Sequence, residues 1–387
     1  MLALAAITYM STAAISPSLP EMSTAFQNEY DAEFIVKLVL TTPALFIAIS
    51  APLVGVFIDR WGRKRLFVIS IILYAIAGGS GYFLNSLLEI LVSRALLGIA
   101  VAGIITTSTA LIVDYFVGVH RNKVMGLQAA FGTFGGVIFL LVGGFLADIS
   151  WRTPFLIYLL AFVMLPLVMY FIYEPQLSRS KDKVTQKGKV SKVKITYLVY
   201  PIVFLSMVII FLTPVQMPFY LKQLGDVSNT EVGIAIASSY LLAGITALFY
   251  KRIKSRQSFQ NISIIAFLLM GSGYVIISLA LNYLEIIIGL AVSGAGLGLL
   301  LPNMNLWLVS ETPITLRGRV LGGLIASIFL GQFLSPVFNQ PVVQQLGSSS
   351  TFGVGGFILL ILSSVFIGMS VKKKFETGTA YEDTKES

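Results

Sequence analysis

Long apolar stretches alternate with short polar breaks along almost the whole sequence. An α-helix of about 20 apolar residues crosses the hydrocarbon core of a bilayer, and in lipid a helix satisfies its own backbone hydrogen bonds. We therefore predict an all-α membrane protein with twelve transmembrane helices. Numbered as spans 1 to 12, the stretches cover residues 2–24, 35–57, 66–84, 88–112, 124–146, 154–173, 197–219, 232–250, 261–281, 286–309, 320–342 and 351–371.

The composition excludes several soluble classes. Only 12% of the residues are charged and 56% are hydrophobic, whereas about 25% of the residues of a typical soluble domain are charged. The chain has no cysteine, which excludes a disulfide scaffold. Its single histidine, His120, argues against a histidine zinc site and against Ser-His-Asp catalysis. We therefore predict neither an enzyme nor a bound cofactor or metal.

The net charge is +9, and the position of this charge argues against nucleic acid as a partner. Of the 27 lysines and arginines, 23 lie in alternate breaks, whereas the breaks between them contain acids such as Asp148 and Asp226. Lysine and arginine resist translocation, so the basic breaks are predicted to be cytoplasmic, with both termini on that side of a plasma or inner membrane. The basic breaks are residues 58–65, 113–123, 174–196, 251–260 and 310–319 and the tail after residue 371.

The break at residues 174–196 is the longest, and it separates two sets of six spans. Arg121–Gly126 before span 5 and Arg317–Gly322 before span 11 both read Arg-x-basic-Val-x-Gly, 196 positions apart. Such a duplication is typical of transporters in which two halves rock about a central site. The predicted domains are an N-terminal six-helix bundle (1–173), a basic linker (174–196), a C-terminal six-helix bundle (197–371) and a tail (372–387).

A motif between spans 2 and 3 has the form Gly-x-x-x-Asp-Arg-x-Gly-Arg-Lys-Arg. Its defining residues are Gly55, Asp59, Arg60, Gly62, Arg63, Lys64 and Arg65. Gly55 permits close approach of another helix, and Gly62 permits a tight turn. The motif resembles the signature loop of the major facilitator superfamily, whose fold is twelve helices in two pseudo-symmetric bundles. The resemblance implies that Asp59 contacts the start of helix eleven in the outward-facing state, and that Arg63 pairs with Asp114.

Two further segments resemble the drug/proton antiporter branch of that family. Pro17–Glu21 is similar to the segment that follows the first helix, and Ser150–Phe155 is similar to the Trp-Arg turn before helix six. Span 5 departs from the pattern, because Phe139 and Leu140 occupy the Gly-Pro positions of the exporters. Helix five is therefore expected to be straighter and bulkier than in those antiporters.

Ionisable residues inside the spans are costly and are candidates for function. Arg94 lies about seven residues into span 4, roughly 10 Å along the helix axis. Arg94-x-x-x-Gly98 resembles a helix-four signature whose arginine faces the central cavity and takes part in proton coupling; the alternative is a buried structural ion pair. Lys37, near the outer end of span 2, is expected to reach the membrane surface. A deep cation without a deep anion also points to a substrate that carries negative charge.

Polar and aromatic residues in the helices that line the family's central pathway are candidates for the substrate cavity. For each of them the alternative is a hydrogen bond between neighbouring helices. The candidates are Tyr9, Gln128, Gln216, Tyr240, Asn303, Asn305 and Gln332.

These features favour a secondary transporter that exports a small molecule against proton entry and works as a monomer in the lipid bilayer. The sequence has no Gly-x-x-x-x-Gly-Lys-Ser/Thr loop, so ATP hydrolysis of its own is not expected. One alternative is a proton symporter for uptake of an organic anion or a sugar. Another is a membrane-embedded enzyme or a non-transporting sensor, although no paired carboxylates and no nucleophile with a base stand at membrane depth in the sequence.

Overall fold

The structure, a computed structural model, describes residues 7–8, 11–174 and 193–386, with the side chains of residues 59, 119, 122 and 372–386 left out. Every regular element in this part of the chain is helical. Tyr9 and most of the linker lie outside the described residues. The α-helices are Leu19–Ala25 in span 1, Ala32–Trp61 in span 2, Arg63–Ser80 in span 3, Leu87–Tyr115 in span 4, Gly118–Ala147 in span 5, Leu160–Phe171 in span 6, Thr196–Ile210 and Leu212–Leu224 in span 7, Asn229–Lys254 in span 8, Phe259–Leu279 in span 9, Tyr283–Ser310 in span 10, and Arg317–Glu386 in spans 11 and 12.

Nine helical segments in the described residues are long and apolar enough to cross a membrane. They account for ten of the predicted spans, because the segment Ile314–Val371 contains both span 11 and span 12. Span 3 is a helix of 18 residues that begins with three basic side chains, and span 1 lies partly outside the described residues. The helices therefore agree with the predicted twelve-helix membrane fold.

Spans 11 and 12 form one run of helix that is interrupted at Gly347. The φ angle of Gly347 is 80°, in the left-handed region, where a residue without a Cβ avoids the steric penalty of other residues. This glycine therefore marks the point at which one helix ends and the next begins. The second helix continues to Glu386, past the predicted end of span 12 at residue 371.

Two hydrophobic cores hold the helices together. The first is formed by residues of spans 1 to 4 and 6 and three residues of span 7, Phe211, Val215 and Phe219, with Phe139 and Leu146 of span 5 packed against it. The second is formed mainly by spans 7 to 12, with Ala13 of span 1 and Leu140 of span 5 inserted into it. Helix association in a membrane depends on van der Waals packing of this kind. The fold thus consists of two six-helix bundles, which contact each other through spans 1, 2 and 5 of the first and spans 7, 8 and 11 of the second.

Span 5 shows the consequence of its departure from the exporter pattern. It is a single helix without an internal proline, Gly118–Ala147, as the residues Phe139 and Leu140 predict. Leu140 is fully buried, and its backbone carbonyl lies so close to Gly233 of span 8 that a Cβ there would be 2.6 Å from the oxygen. Spans 5 and 8 therefore contact each other backbone to backbone across the two bundles.

Span 7 is interrupted at Phe211, between its two helical segments. Pro214 and Pro218 have no N–H, so the carbonyls of Ile210 and Pro214, four residues earlier in each case, lose their helical donors. The hydroxyl of Tyr274 in span 9 donates to the Ile210 carbonyl at 3.1 Å. The hydroxyl of Ser16 in span 1 donates to the Pro214 carbonyl at 2.6 Å. One freed carbonyl is thus bound within the C-terminal bundle, and the other is bound by the N-terminal bundle.

Candidate functional site

The signature motif forms the turn between spans 2 and 3. Gly62 has a φ of 86°, which explains why a glycine follows the last residue of span 2. The next residue, Arg63, is buried, and its Nε lies 2.9 Å from Oδ2 of Asp114 at the end of span 4. The structure therefore contains the ion pair that the resemblance implies between Arg63 and Asp114.

A third charged residue, Glu174, completes this turn. Its carboxylate accepts hydrogen bonds from the backbone N–H of Arg63 at 2.6 Å and of Lys64 at 2.8 Å. These two N–H groups begin the helix of span 3 and have no partner within it, so the negative charge also lies favourably in the helix dipole. Sequence reasoning missed Glu174, although an acid directly after span 6, at the start of a break rich in lysine, was a usable signal.

The other motif residues are less constrained. Arg60 and Arg65 are exposed, and the side chain of Asp59 is not among those described. A Cβ on Gly55 would have no described atom within 4 Å. The close helix approach that the sequence predicts at Gly55 is therefore not present in this conformation.

We call the end of the bundle with Gly62 and Asp114 the motif end, and the end with Asp148 and Ser228 the opposite end. Near the motif end, a Cβ on Gly126 of span 5 or on Gly322 of span 11 would also meet no described atom within 4 Å. At the opposite end, polar side chains join the two bundles, as in the contact of Ser16 with the Pro214 carbonyl.

Arg94 lies inside the N-terminal bundle, and not against a central cavity as the resemblance implied. Its side chain is fully buried. One guanidinium nitrogen donates to the carbonyls of Ala77 at 2.9 Å and Gly78 at 2.7 Å in span 3. The guanidinium also lies over the rings of Phe155 and Tyr158 in span 6, 4.9 and 5.1 Å from their centres. Cation–π contacts of this kind are stronger when the cation is desolvated.

The alternative for Arg94, a buried ion pair, is not what the described residues show either. The ion pairs among them are Lys37–Glu33 and Arg63–Asp114. Carbonyl oxygens and aromatic faces supply the negative potential around Arg94 instead. The residue therefore joins spans 3, 4 and 6 of one bundle.

Gly98, four residues further along span 4, has a packing role. A Cβ at this position would lie 2.5 Å from the carbonyl oxygen of Pro43 and 2.8 Å from Cβ of Phe46. Any larger residue would push span 4 away from span 2, so the glycine of the helix-four signature is explained by close helix contact.

Lys37 does not reach the membrane surface, contrary to the sequence-based expectation. Its side chain is only 1% exposed. The ammonium group lies 2.6 Å from Oε1 of Glu33 in the same helix and 2.6 Å from Oε1 of Gln340 in span 11. It also lies 4.8 Å from the centre of the Phe219 ring in span 7. Lys37 is therefore a buried cation between the two bundles, near the opposite end.

Two of the predicted cavity residues are helix–helix contacts. Gln216 is buried and donates to the Ser348 hydroxyl of span 12 at 3.0 Å. Asn303 is fully buried; its amide donates to Ser263 at 2.9 Å, and its carbonyl oxygen lies 3.1 Å from the Tyr250 hydroxyl. The alternative given for these residues, a hydrogen bond between neighbouring helices, is the correct one.

The remaining cavity candidates are not gathered into one cluster. Gln128 is half-buried and donates to the Ser108 hydroxyl of span 4 at 3.0 Å. Gln332 is half-buried and Asn305 is exposed, while Tyr9 lies outside the described residues. Tyr240 lines a small cavity of about 20 Å³ inside the C-terminal bundle, together with the hydroxyl-bearing residues Thr213, Ser239, Tyr274 and Ser293. This volume suits about one water molecule.

Comparison with known proteins agrees with the motif and the fold. Residues 1–225 and 199–380 match the Major Facilitator Superfamily. The chain is 24% identical over 357 residues to the multi-drug resistance efflux pump PmrA of Streptococcus pneumoniae, with 89% of each chain covered. It is also 24% identical over 375 residues to the multidrug efflux protein YfmO of Bacillus subtilis, with 94% of this chain and 89% of the relative covered.

Solved structures share the fold at low identity. A D-xylose–proton symporter matches with a TM-score of 0.78 and 18% identity, over 94% of this chain and 95% of the other. The nucleoside transporter NupG matches with a TM-score of 0.74 and 13% identity, over 95% of this chain and 98% of the other. With its signature turn, its two helical bundles and a family match that extends over most of its length, this chain belongs to the Major Facilitator Superfamily of membrane transporters.

Proposed function

We propose that this protein exports a small molecule from the cytoplasm in exchange for protons, by alternating access. The observation that carries the proposal is that polar side chains join the two bundles at the opposite end, whereas a Cβ on Gly55, Gly126 or Gly322 near the motif end would meet no described atom within 4 Å. Bundles of this kind can rock, so that a site between them is reached from alternate sides. The relatives named as multidrug efflux pumps support export.

The motif end is assigned to the cytoplasm, because most lysines and arginines lie in the breaks at that end. This assignment puts both termini in the cytoplasm of a plasma or inner membrane and makes the conformation inward-facing. The proposed domains are the bundles 1–173 and 197–371, the linker 174–196 and the tail 372–387, in a protein that works as a monomer.

The signature motif is proposed to act as the conformational switch. Arg63–Asp114 and the Glu174 contact tie the turn to spans 4 and 6. Asp59 is proposed to meet the start of span 11 when the motif end closes. A carboxylate at a helix N-terminus is stabilised by the helix dipole and by free N–H groups. The proposed switch residues are Gly55, Asp59, Arg60, Gly62, Arg63, Lys64, Arg65 and Asp114.

We propose that the substrate binds between the bundles, near Gln128, Asn305 and Gln332, with Tyr9 and Tyr240 as further candidates. Arg94 and Gly98 support transport by holding spans 2, 3, 4 and 6 together. The inference of a negatively charged substrate depended on an unmatched charge at Arg94. Because carbonyls and aromatic faces surround that charge, an anionic substrate no longer has a specific observation in its favour.

Everted membrane vesicles from cells that make the protein test the direction of transport. With the vesicle interior acidified, addition of a lipophilic cation such as ethidium is expected to reduce the proton gradient while the cation accumulates inside. Vesicles without the protein should show neither change, and the variant Asp114→Asn should show both more weakly. Accumulation in right-side-out vesicles, driven by proton entry together with the solute, would instead establish the uptake symporter.

A further inference from the structure

The helix of span 8 begins at the opposite end with backbone N–H groups that are satisfied from two sources. The first four N–H groups of an α-helix have no partner within the helix. Here Ser228 provides two acceptors, since its hydroxyl binds the N–H of Glu231 and its carbonyl binds the N–H of Val232. The N–H groups of Asn229 and Thr230 remain, and they are bound from outside the helix.

The external partner is Asp148, at the end of span 5 in the other bundle. Its two carboxylate oxygens accept from the N–H of Asn229 at 2.7 Å and from the N–H of Thr230 at 3.1 Å. The Thr230 hydroxyl donates to the same carboxylate at 2.5 Å. Hydrogen bonds to an ionised acceptor are roughly twice as strong as neutral ones. The contact is therefore a charged cap that crosses the interface between the bundles.

The position of Asp148 has no local explanation. It follows the last residue of the span 5 helix, Ala147, where the negative end of the helix dipole disfavours a carboxylate. Among the described residues, the hydrogen-bond donors to its carboxylate are at the start of span 8. A second carboxylate of the N-terminal bundle, Glu21, accepts from the side-chain amide of the fully buried Asn229 at 2.5 Å. Two acids of one bundle thus hold the first turn of a helix of the other.

We infer that Asp148 is a positioning residue that keeps the opposite end closed by capping span 8 across the interface. The inference rests on the proposed alternating access. When that end opens, spans 5 and 8 separate, and the two N–H groups must exchange the carboxylate for water. The contact is the counterpart of the one proposed for Asp59 and span 11, so each end would be closed by one carboxylate at the start of a helix of the C-terminal bundle.

Distance measurements between spin labels on the full-length protein test the inference. The chain has no cysteine, so labels can be placed through Tyr30→Cys with Leu281→Cys at the opposite end, and through Val117→Cys with Ile314→Cys at the motif end; all four residues are highly exposed. Asp148→Asn is expected to raise the ratio of long to short distances at the opposite end about tenfold, since it removes charged hydrogen bonds. Distances at the motif end should shorten at the same time.

Asp226→Asn is the matched control, because Asp226 is an exposed acid at the same end and should leave both distributions unchanged. Thr230→Val keeps the backbone cap and removes only the hydroxyl bond, so a smaller shift in the same direction is expected even if Asp148→Asn folds poorly. The inference would be overturned if the distances were unchanged in both Asp148→Asn and Thr230→Val. It would also be overturned if they lengthened at both ends together, or if Asp226→Asn caused an equal shift. Failure of wild-type vesicles to exchange ethidium for protons would overturn the proposed function and not the cap.

Discussion

Arg94 and Lys37, two buried cations of the N-terminal bundle, have different kinds of surroundings. Arg94 has all its described partners in its own bundle, in spans 3, 4 and 6. Lys37 has one partner in its own helix, Glu33, and two in the other bundle, Gln340 and Phe219. If the bundles move as rigid bodies, the contacts of Arg94 persist throughout the cycle, whereas those of Lys37 to the other bundle must break when the opposite end opens.

A residue whose partners lie in its own bundle stabilises that bundle, whereas a residue with partners in the other bundle affects the equilibrium between conformations. Removing a partner of a buried charge inside one bundle lowers the stability of every state. Removing a partner across the interface affects only the state in which the interface is closed, and so it moves the conformational equilibrium. Stability and label distances should therefore respond differently to substitutions around Arg94 and around Lys37.

The largest effect is expected for Arg94→Ala. The substitution removes a fully buried side chain and leaves two carbonyls and two aromatic faces without their cation. A buried carbonyl left without its donor costs about 1–3 kcal/mol, and the cavity left by the large side chain adds to this loss of stability. Thermal unfolding of the purified protein should show a large decrease in stability, and ethidium export should be lost.

Arg152→Ala is a suitable comparison for Arg94→Ala. Arg152 also binds backbone carbonyls, those of Tyr82 and Leu84 at 3.1 and 2.8 Å, but it is only partly buried. Arg152→Ala should therefore lower the free energy of unfolding clearly less than Arg94→Ala does. If Arg94→Ala unfolded at the wild-type temperature and still exported ethidium, Arg94 would not be a residue that maintains the bundle.

An intermediate effect is expected for Gln340→Leu, which removes the acceptor of Lys37 in the other bundle. A buried donor left without its partner costs about 1–3 kcal/mol, and this cost falls only on the closed state of the opposite end. For the label pair at Tyr30 and Leu281, the ratio of long to short distances should rise about tenfold, while the unfolding temperature changes little.

Gln344→Leu, one turn further along the helix at an exposed position, is the control and should change neither the distance ratio nor the unfolding temperature. A drop in unfolding temperature without any change in distances would mean that Lys37 belongs with Arg94 and not with the interface.

The sequence predicted features that depend on depth and on local pattern. Hydropathy located the spans, and the signature motif identified Gly62 as a turn and Arg63 as the partner of Asp114. The turn at Gly62 is predictable because a glycine adopts positive φ without steric penalty. The pairing of Arg63 with Asp114, 51 positions away, follows from the family resemblance and not from the local pattern.

Features that depend on which way a side chain faces could not be predicted in the same way. A polar residue in an apolar helix gives the same signal whether it faces a cavity or a neighbouring helix. For Gln216 and Asn303, the structure shows the alternative, a hydrogen bond to a neighbouring helix. Lys37 lies between the two bundles and does not reach the membrane surface. In each case the deciding partner is distant in sequence, such as Ser348 for Gln216 and Gln340 for Lys37.

The smallest effect is expected for Glu174→Ala at the motif end. Like Asp148, Glu174 accepts from two N–H groups at the start of a helix, those of Arg63 and Lys64. Here the contact does not cross between bundles, because Glu174 directly follows span 6 of the bundle that contains Arg63 and Lys64. Loss of such a cap costs about 1 kcal/mol, and the exposed position of Glu174 lets water replace part of it. We expect a small decrease in unfolding temperature and unchanged label distances at the opposite end. Glu311→Ala, at an exposed acid of the same end, should change neither quantity. If Glu174→Ala opened the opposite end as far as Asp148→Asn does, the location of a cap within or between bundles would not decide its role.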